Sequence, residues 1–74
     1  MKNLKMEFGI NLRNARKALN NGQGKTQADF AEDVELTRPT ISRFENGFGN
    51  PTLTQIEKLA TALNVEPADL LKRD

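Results

Sequence analysis

Apolar residues recur at helical spacing in four segments of this 74-residue chain. In the first segment Phe8, Leu12, Ala15 and Leu19 fall on one stripe of a helix. The same test predicts helices over about residues 5–19, 27–34, 38–46 and 53–63. Pro67, followed by Asp69 in the first turn, predicts a short fifth helix over about residues 67–72. The apolar run 34–36 is too short for a strand and lies between two helix caps. We therefore predict an all-α fold in which residues 1–74 form one domain.

Polar residues next to these stripes mark where the helices begin and end. Thr26, Thr37 and Thr52 each precede a stripe and are suited to accept a hydrogen bond from the first helical turn. Gly47 follows the third stripe and is expected to end that helix in the left-handed conformation. Residues 20–24 are rich in turn formers and predict a loop inside the domain, not a linker between domains.

The connection between the second and third helices is the most informative feature of the chain. Only residues 35–37 separate the two predicted helices. A link this short makes short helices pack at a steep angle, as in a helix-turn-helix unit. Ala31 supplies the small residue needed where the helices touch. The apolar residues that would close the wedge are Phe30, Val34, Leu36, Ile41 and Phe44.

Composition excludes several classes of function. The chain has no Cys and no His, which removes disulfides, thiolate nucleophiles and the usual zinc ligands. No segment approaches the roughly 20 apolar residues of a membrane span, and residues 1–10 lack the apolar run of a signal peptide. We expect a cytoplasmic protein that is not an enzyme and needs neither metal nor cofactor.

The net charge of +1 is, by itself, weak evidence against a nucleic-acid partner. The distribution of charge carries more information than the sum. Acidic residues crowd one segment, at Asp29, Glu32, Asp33 and Glu35. If that segment faces away from the partner, another face of the domain remains basic.

Three segments together resemble a known family. Residues 26–47 (TQADFAEDVELTRPTISRFENG) resemble the helix-turn-helix of the phage repressor and Cro family, also called XRE-like or lambda-repressor-like. Residues 50–71 (NPTLTQIEKLATALNVEPADLL) resemble its fourth and fifth helices, and FGINLRNARKAL its first. The chain is similar in length and architecture to the controller proteins of restriction–modification systems. The resemblance implies a compact five-helix fold and a sequence-specific transcriptional regulator, repressor-like in its action.

The resemblance also implies a mechanism, in which the helix 38–46 enters the major groove of double-stranded DNA at a palindromic operator. Candidate base contacts are Arg38, Pro39, Thr40, Ser42 and Arg43. Candidate phosphate contacts are Lys25, Thr26, Gln27, Thr37, Asn46 and Asn50. Each has a structural alternative: the arginines are solvated helix charges, Gln27 only starts a helix, and Asn46 only caps one. Arg16 and Glu45 match a family ion pair, for which the alternative is two unrelated surface charges.

Partners are also implied by the resemblance. A homodimer is expected, with much of its contact supplied by the fourth and fifth helices through Leu70 and Leu71; those leucines fit a monomer core equally well. RNA polymerase is a further possible partner for a regulator. A different hypothesis is an antitoxin-type module that covers a toxin, which a large exposed apolar patch away from the third helix would favour.

The chain departs from the family at three positions. The loop 20–25 is longer than is usual, and Lys25 replaces a commonly apolar residue. Glu35 stands at the turn position where the family favours Gly. A positive φ costs a residue with a Cβ about 1 kcal/mol, so we expect the turn to adopt another geometry.

Overall fold

The computed structural model describes residues 3–73, and over that range it contains helices and no strand. The helices are α1 (Leu4–Ala18), α2 (Gln27–Asp33), α3 (Arg38–Glu45), α4 (Leu53–Leu63) and α5 (Pro67–Leu70). The all-α prediction is confirmed, and most helix ends fall within one residue of their predicted positions. The fifth helix is the exception, because it ends at Leu70 instead of residue 72. Every helix over this range is too short or too polar to cross a lipid bilayer.

The three predicted threonine caps are confirmed. The side-chain oxygen of Thr26 accepts from the Asp29 N–H at 3.0 Å, and that of Thr37 accepts from the Thr40 N–H at 3.3 Å. Thr52 forms a reciprocal capping box with Gln55, with hydrogen bonds of 3.0 and 2.8 Å. These bonds satisfy N–H groups that no helical carbonyl can reach, and they set where α2, α3 and α4 begin.

One apolar core joins all five helices. Its buried members are Phe8, Leu12, Phe30, Ala31, Val34, Ile41, Phe44, Ile56, Leu59, Ala60, Leu63 and Leu70. The rings of Phe8 and Phe44 meet edge to face with centroids 5.9 Å apart, which ties α1 to α3. Because α1 and α2 both pack on α3, the inner side of α3 is held from two directions.

A glycine allows α1 and α3 to approach each other closely. A Cβ placed on Gly9 would lie 2.4 Å from the carbonyl oxygen of Phe44 and 2.8 Å from that of Glu45. Both distances are shorter than a carbon–oxygen contact permits, so no larger residue fits without a shift of the backbone. Gly9 therefore sets the distance between α1 and the end of α3.

Leu70 belongs to the core of the monomer, where it is 1% exposed, whereas Leu71 is 36% exposed. The side-chain amide of Asn11 donates to the carbonyl oxygens of Leu70 (3.1 Å) and Lys72 (2.9 Å). These bonds clamp the chain after α5 onto α1 and account for the early end of the helix.

The turn between α2 and α3 does not adopt the other geometry that the sequence led us to expect. Glu35 has φ = +59°, the left-handed conformation that favours glycine. The Leu36 N–H donates to the Ala31 carbonyl at 2.9 Å, and this bond closes the turn in that conformation. The Glu35 carboxylate accepts from Lys58 at 2.8 Å, and this hydrogen bond and the lysine charge lower the pKa of Glu35. The hydrogen bonds that cap the end of α2 thus hold a residue with a Cβ in a glycine-like conformation.

Candidate nucleic-acid interface

α3 buries one side of its surface and exposes the other. Ile41 and Phe44 lie in the core, while Arg38, Pro39 and Arg43 are exposed and Thr40 and Ser42 are partly exposed. Pro39 lies in the first turn, where its missing N–H breaks no helical hydrogen bond. An α-helix with its side chains is about 10–12 Å across, which fits the major groove of B-DNA, about 12 Å wide. All five candidate base-contact residues therefore occupy one short rod at the surface.

The two arginines of this outer face are free to bind a partner. Over residues 3–73 neither Arg38 nor Arg43 takes part in an ion pair. The polar side chains beside them are partly engaged locally: the Thr40 hydroxyl lies 2.9 Å from that of Thr37, and the Asn46 amide donates to Ser42 Oγ at 3.4 Å. Arginine guanidinium groups without a carboxylate partner can donate two parallel hydrogen bonds to a guanine edge.

Beneath the outer face, a buried ion pair connects the end of α1 to the end of α3. Arg16 Nε and Nη2 donate to the two carboxylate oxygens of Glu45 at 2.7 and 2.9 Å. Arg16 Nη1 donates to the Lys25 carbonyl at 2.6 Å, and Gln27 Nε2 donates to Glu45 Oε1 at 3.1 Å. Burial strengthens such a bidentate contact. The network fixes α3 relative to both α1 and the start of α2.

Three candidate phosphate contacts lie together where α2 begins. Gln27 is half-buried, and one hydrogen of its side-chain amide is donated to Glu45. The second amide hydrogen is available to a ligand. The first N–H groups of a helix have no helical acceptor, so the start of α2 suits an anion. Thr26 caps this end, and Lys25 precedes it but is held by Asp33 in an ion pair.

The other phosphate candidates flank α3. Thr37 caps the start of the helix, and Asn46 and Asn50 are exposed in the segment that follows it. Gly47 has φ = +84° and ends α3, which confirms the predicted left-handed terminator. The Phe48 N–H then donates to the Arg43 carbonyl at 2.8 Å and folds this segment back against the helix. Asn46 is thus held at the end of α3, and Asn50 follows in the segment that leads to α4.

The acidic residues of α2 and of the turn after it form no ion pair with the arginines of α3. Asp33 pairs with Lys25, which precedes α2, and Glu35 pairs with Lys58 of α4. Asp29 and Glu32 are exposed on α2. Because none of these carboxylates neutralises Arg38 or Arg43, the outer face of α3 keeps its positive charge despite the chain's net charge of +1.

Sequence reasoning missed two contacts that shape the interface. The link from Gln27 to Glu45 joins a residue assigned to phosphate with one assigned to an ion pair, and no local pattern signals it. Gly9 could have been found, because an isolated glycine inside an amphipathic helix often marks a close backbone approach.

An exposed helix carried on a short turn from a second helix defines a helix-turn-helix DNA-binding unit. The helix-turn-helix family (HTH_3) matches residues 12–70, and the chain belongs to this family. It is a transcription regulator of the phage-repressor type that binds DNA sequence-specifically.

Named relatives include repressors and controllers. The chain is 38% identical over 69 residues to the control protein C.BamHI of Bacillus amyloliquefaciens, covering 93% of this chain and 82% of that one. It is 34% identical over 68 residues to the phage CTXphi transcriptional repressor RstR of Vibrio cholerae, covering 92% of this chain. The matched part spans 57% of the length of RstR.

A solved structure and an antitoxin extend the comparison. The restriction-modification controller protein C.AhdI from Aeromonas hydrophila superposes with a TM-score of 0.78 at 38% identity, covering 89% of this chain and 90% of that one. The antitoxin HipB of Escherichia coli is 37% identical over 54 residues, covering 73% of this chain and 61% of that one.

Proposed function

We propose that two copies of this chain bind a palindromic operator, each placing α3 in the major groove of one half-site. Half-sites contacted in this way lie about one helical turn, roughly 34 Å, apart. The observation that carries the proposal is the exposed face of α3, where Arg38 and Arg43 are unpaired among residues 3–73 while the inner side is held by the Arg16–Glu45 pair.

The outer residues of α3 supply the sequence preference. Arg38 and Arg43 donate to guanine edges, and Ser42 bonds a neighbouring base. Thr40 and Pro39 contribute apolar contact, such as with a thymine methyl group. Because one bidentate contact discriminates against a wrong base by about 1–3 kcal/mol, the two arginines carry most of the preference.

The phosphate contacts set the register of α3 on the duplex. Gln27 and the start of α2 bind one phosphate, with Thr26 and Lys25 beside them. Thr37, Asn46 and Asn50 bind the backbone on the other flank of α3. The Gln27–Glu45 hydrogen bond of 3.1 Å couples the phosphate contact to the base-contacting helix, so the two engage DNA as one rigid unit.

The dimer is formed through the region of α4 and α5. Leu70 is committed to the monomer core, so the contact falls to Leu71 and to exposed residues near it. Repression follows from occlusion of a promoter, and a contact with RNA polymerase would turn the same placement into activation.

Selection from a randomised DNA pool tests this function. We expect enrichment of a palindrome and an affinity that falls steeply with salt, because phosphate contacts release counterions. Arg43→Ala should relax the base preference, whereas Gln27→Ala should weaken binding to all sequences alike. Failure to enrich any sequence, or a preference that Arg43→Ala leaves intact, would contradict the assignment.

A second candidate is an antitoxin-type module that covers a partner protein. The observations that favour it are the identity with HipB and an apolar groove of about 320 Å³ between the start of α1 and the segment after α3. Phe48, at the edge of the groove, is 64% exposed. Under this hypothesis Phe48→Ser would abolish neutralisation of the partner, whereas Arg43→Ala would leave neutralisation unchanged.

A further inference from the structure

A recess of about 410 Å³ lies between the end of α1 and the loop that joins α1 to α2. Its lining contains three basic residues and no carboxylate. The lining residues are Arg16, Lys17, Gly22, Gln23, Gly24, Lys25 and Thr26. Lys25 and Thr26 also belong to the phosphate site proposed above, but the rest of the lining has no role there. The recess is built largely by the segment that is longer here than in the resembled family.

The loop that walls the recess has a defined conformation. Asn20, Asn21, Gly22 and Gly24 all have positive φ, between +55° and +91°. The Asn20 side-chain amide donates to the Gly24 carbonyl at 3.3 Å and closes the loop on itself. Gly24 packs against α1, since a Cβ there would lie 3.2 Å from Lys17 Cα. The loop is therefore a fixed wall of the recess.

The same loop reduces an obstacle to anion binding. The end of a helix exposes carbonyl oxygens and carries partial negative charge. Here the Gly22 N–H donates to the Ala18 carbonyl at 3.2 Å, and the Gly24 N–H donates to the Leu19 carbonyl at 2.7 Å. The Arg16 carbonyl accepts from the Lys25 N–H at 3.3 Å. Because these oxygens are occupied, the end of α1 presents less negative charge to an incoming phosphate.

Lys17 supplies the uncompensated positive charge of the recess. Arg16 is neutralised by Glu45, and Lys25 is neutralised by Asp33. Lys17 is exposed and forms no ion pair with any residue from 3 to 73. The amide of Gln23 and the hydroxyl of Thr26 add neutral hydrogen-bond donors.

The recess adjoins the phosphate site proposed at the start of α2. Thr26 belongs to both, and Arg16 joins them by donating to the Lys25 carbonyl at 2.6 Å and to Glu45, the acceptor of Gln27. We propose that the recess binds a second backbone phosphate, on the strand that flanks the operator half-site, with Lys17 as the cation and Gln23 and Thr26 as donors. This inference rests on the proposed DNA-binding function and extends its footprint beyond the base-contacting helix.

The test uses the duplex selected from the randomised pool, extended by one helical turn beyond each half-site. Flanking phosphates are replaced one at a time by a neutral methylphosphonate, and affinity is measured for the wild-type chain, Lys17→Gln and the control Lys5→Gln. Lys5 is an exposed lysine at the opposite end of α1, and like Lys17 it forms no ion pair with any residue from 3 to 73. We expect one flanking position at which the wild-type chain and Lys5→Gln lose about twofold to fivefold in affinity and Lys17→Gln loses none. A wild-type chain that tolerates every flanking replacement, or a Lys17→Gln variant that remains sensitive at that position, overturns the inference.

The outcome is separable from that of the proposed function. If the pool yields no preferred sequence, the variants are compared on a random duplex, where phosphate contacts still act. There Lys17→Gln should reduce the slope of log affinity against log salt by about 0.9 for each bound protomer. An unchanged slope, or a wild-type chain that binds no duplex, overturns the inference in that case as well. Arg43→Ala reports separately on base preference, because it leaves the recess intact.

Discussion

The inner and outer sides of α3 hold arginines in opposite circumstances. Arg16 reaches the inner side from α1, is 8% exposed and donates to Glu45 and to the Lys25 carbonyl. Arg43, on the outer side, is exposed and makes no ion pair with any residue over 3–73. An arginine therefore fixes the contact between α1 and α3 on the inner side, whereas on the outer side an arginine is available to bind DNA.

The difference teaches how a small domain can present a charged helix without losing its geometry. A buried charge must be paired, because desolvation without a partner is costly. An exposed charge needs no partner, and any internal partner would compete with DNA. The ion pair therefore lies on the inner side, where it sets the position of α3, and the arginines of the outer side remain available to bind DNA. Four substitutions can break or sharpen this comparison.

The largest loss of stability is expected when the buried Arg16–Glu45 ion pair is broken. Arg16→Met leaves Glu45 buried without its cation and should lower the free energy of unfolding by about 3–5 kcal/mol. Urea denaturation followed by circular dichroism measures this loss. The double variant Arg16→Met/Glu45→Met should recover part of it, because no buried charge remains. A double variant as unstable as Arg16→Met would show that packing, and not charge, dominates at this site.

The second largest loss of stability is expected from Gly9→Ala, where α1 lies close to α3. Helix propensity alone favours Gly9→Ala by about 1 kcal/mol. The added Cβ would meet the Phe44 carbonyl oxygen at 2.4 Å, however, and forcing the backbones apart should cost about 3 kcal/mol. We therefore expect net destabilisation of about 2 kcal/mol. As a control, the variants Asn14→Ala and Asn14→Gly, at an exposed position inside α1, should differ by propensity alone, about 1 kcal/mol. A Gly9→Ala variant that is more stable than the wild type would mean that α1 and α3 can move apart at little cost.

The sites of these two substitutions also illustrate which features of the fold could be predicted from the sequence. Caps and stripes depend on residues three or four positions apart, so Thr26, Thr37 and Thr52 were located from local pattern alone. An isolated glycine in α1 indicates a close approach, but no local pattern identifies Phe44 and Glu45 as the partners of Gly9 or the chain after α5 as the partner of Asn11, because these contacts join distant segments. The candidate base contacts could be narrowed to the outer side of α3, because periodicity assigns Ile41 and Phe44 to the core.

The turn between α2 and α3 is a second place where prediction from the sequence failed. Local chemistry argues against a positive φ at Glu35, and that argument led to the wrong geometry. The conformation is that of a Schellman cap, in which the Leu36 N–H donates to the Ala31 carbonyl and the Glu35 N–H donates to the Glu32 carbonyl. The hydrogen bonds that cap α2 outweigh a local strain of only about 1 kcal/mol.

A smaller effect is expected from relieving that strain. Glu35→Ala removes the exposed contact with Lys58 but keeps the left-handed Cβ, whereas Glu35→Gly removes both. We expect the glycine variant to be the more stable of the two by about 1 kcal/mol. Neither variant titrates at position 35, so the difference should hold across pH in thermal or urea unfolding. Equal stabilities would indicate that the turn relaxes away from the left-handed region when the side chain is shortened.

The smallest effect on stability is expected on the outer side of α3. Arg43→Ala removes an exposed side chain that makes no ion pair over residues 3–73, so the free energy of unfolding should change by less than about 0.5 kcal/mol. Urea denaturation of this variant beside Arg16→Met compares the two arginines directly. A loss of base preference in a variant of unchanged stability assigns that loss to the missing contact with DNA, because the helix beneath is still in place. A loss of 1 kcal/mol or more of stability, by contrast, would make Arg43 part of the scaffold. The inner and outer sides of α3 would then no longer be separate in function.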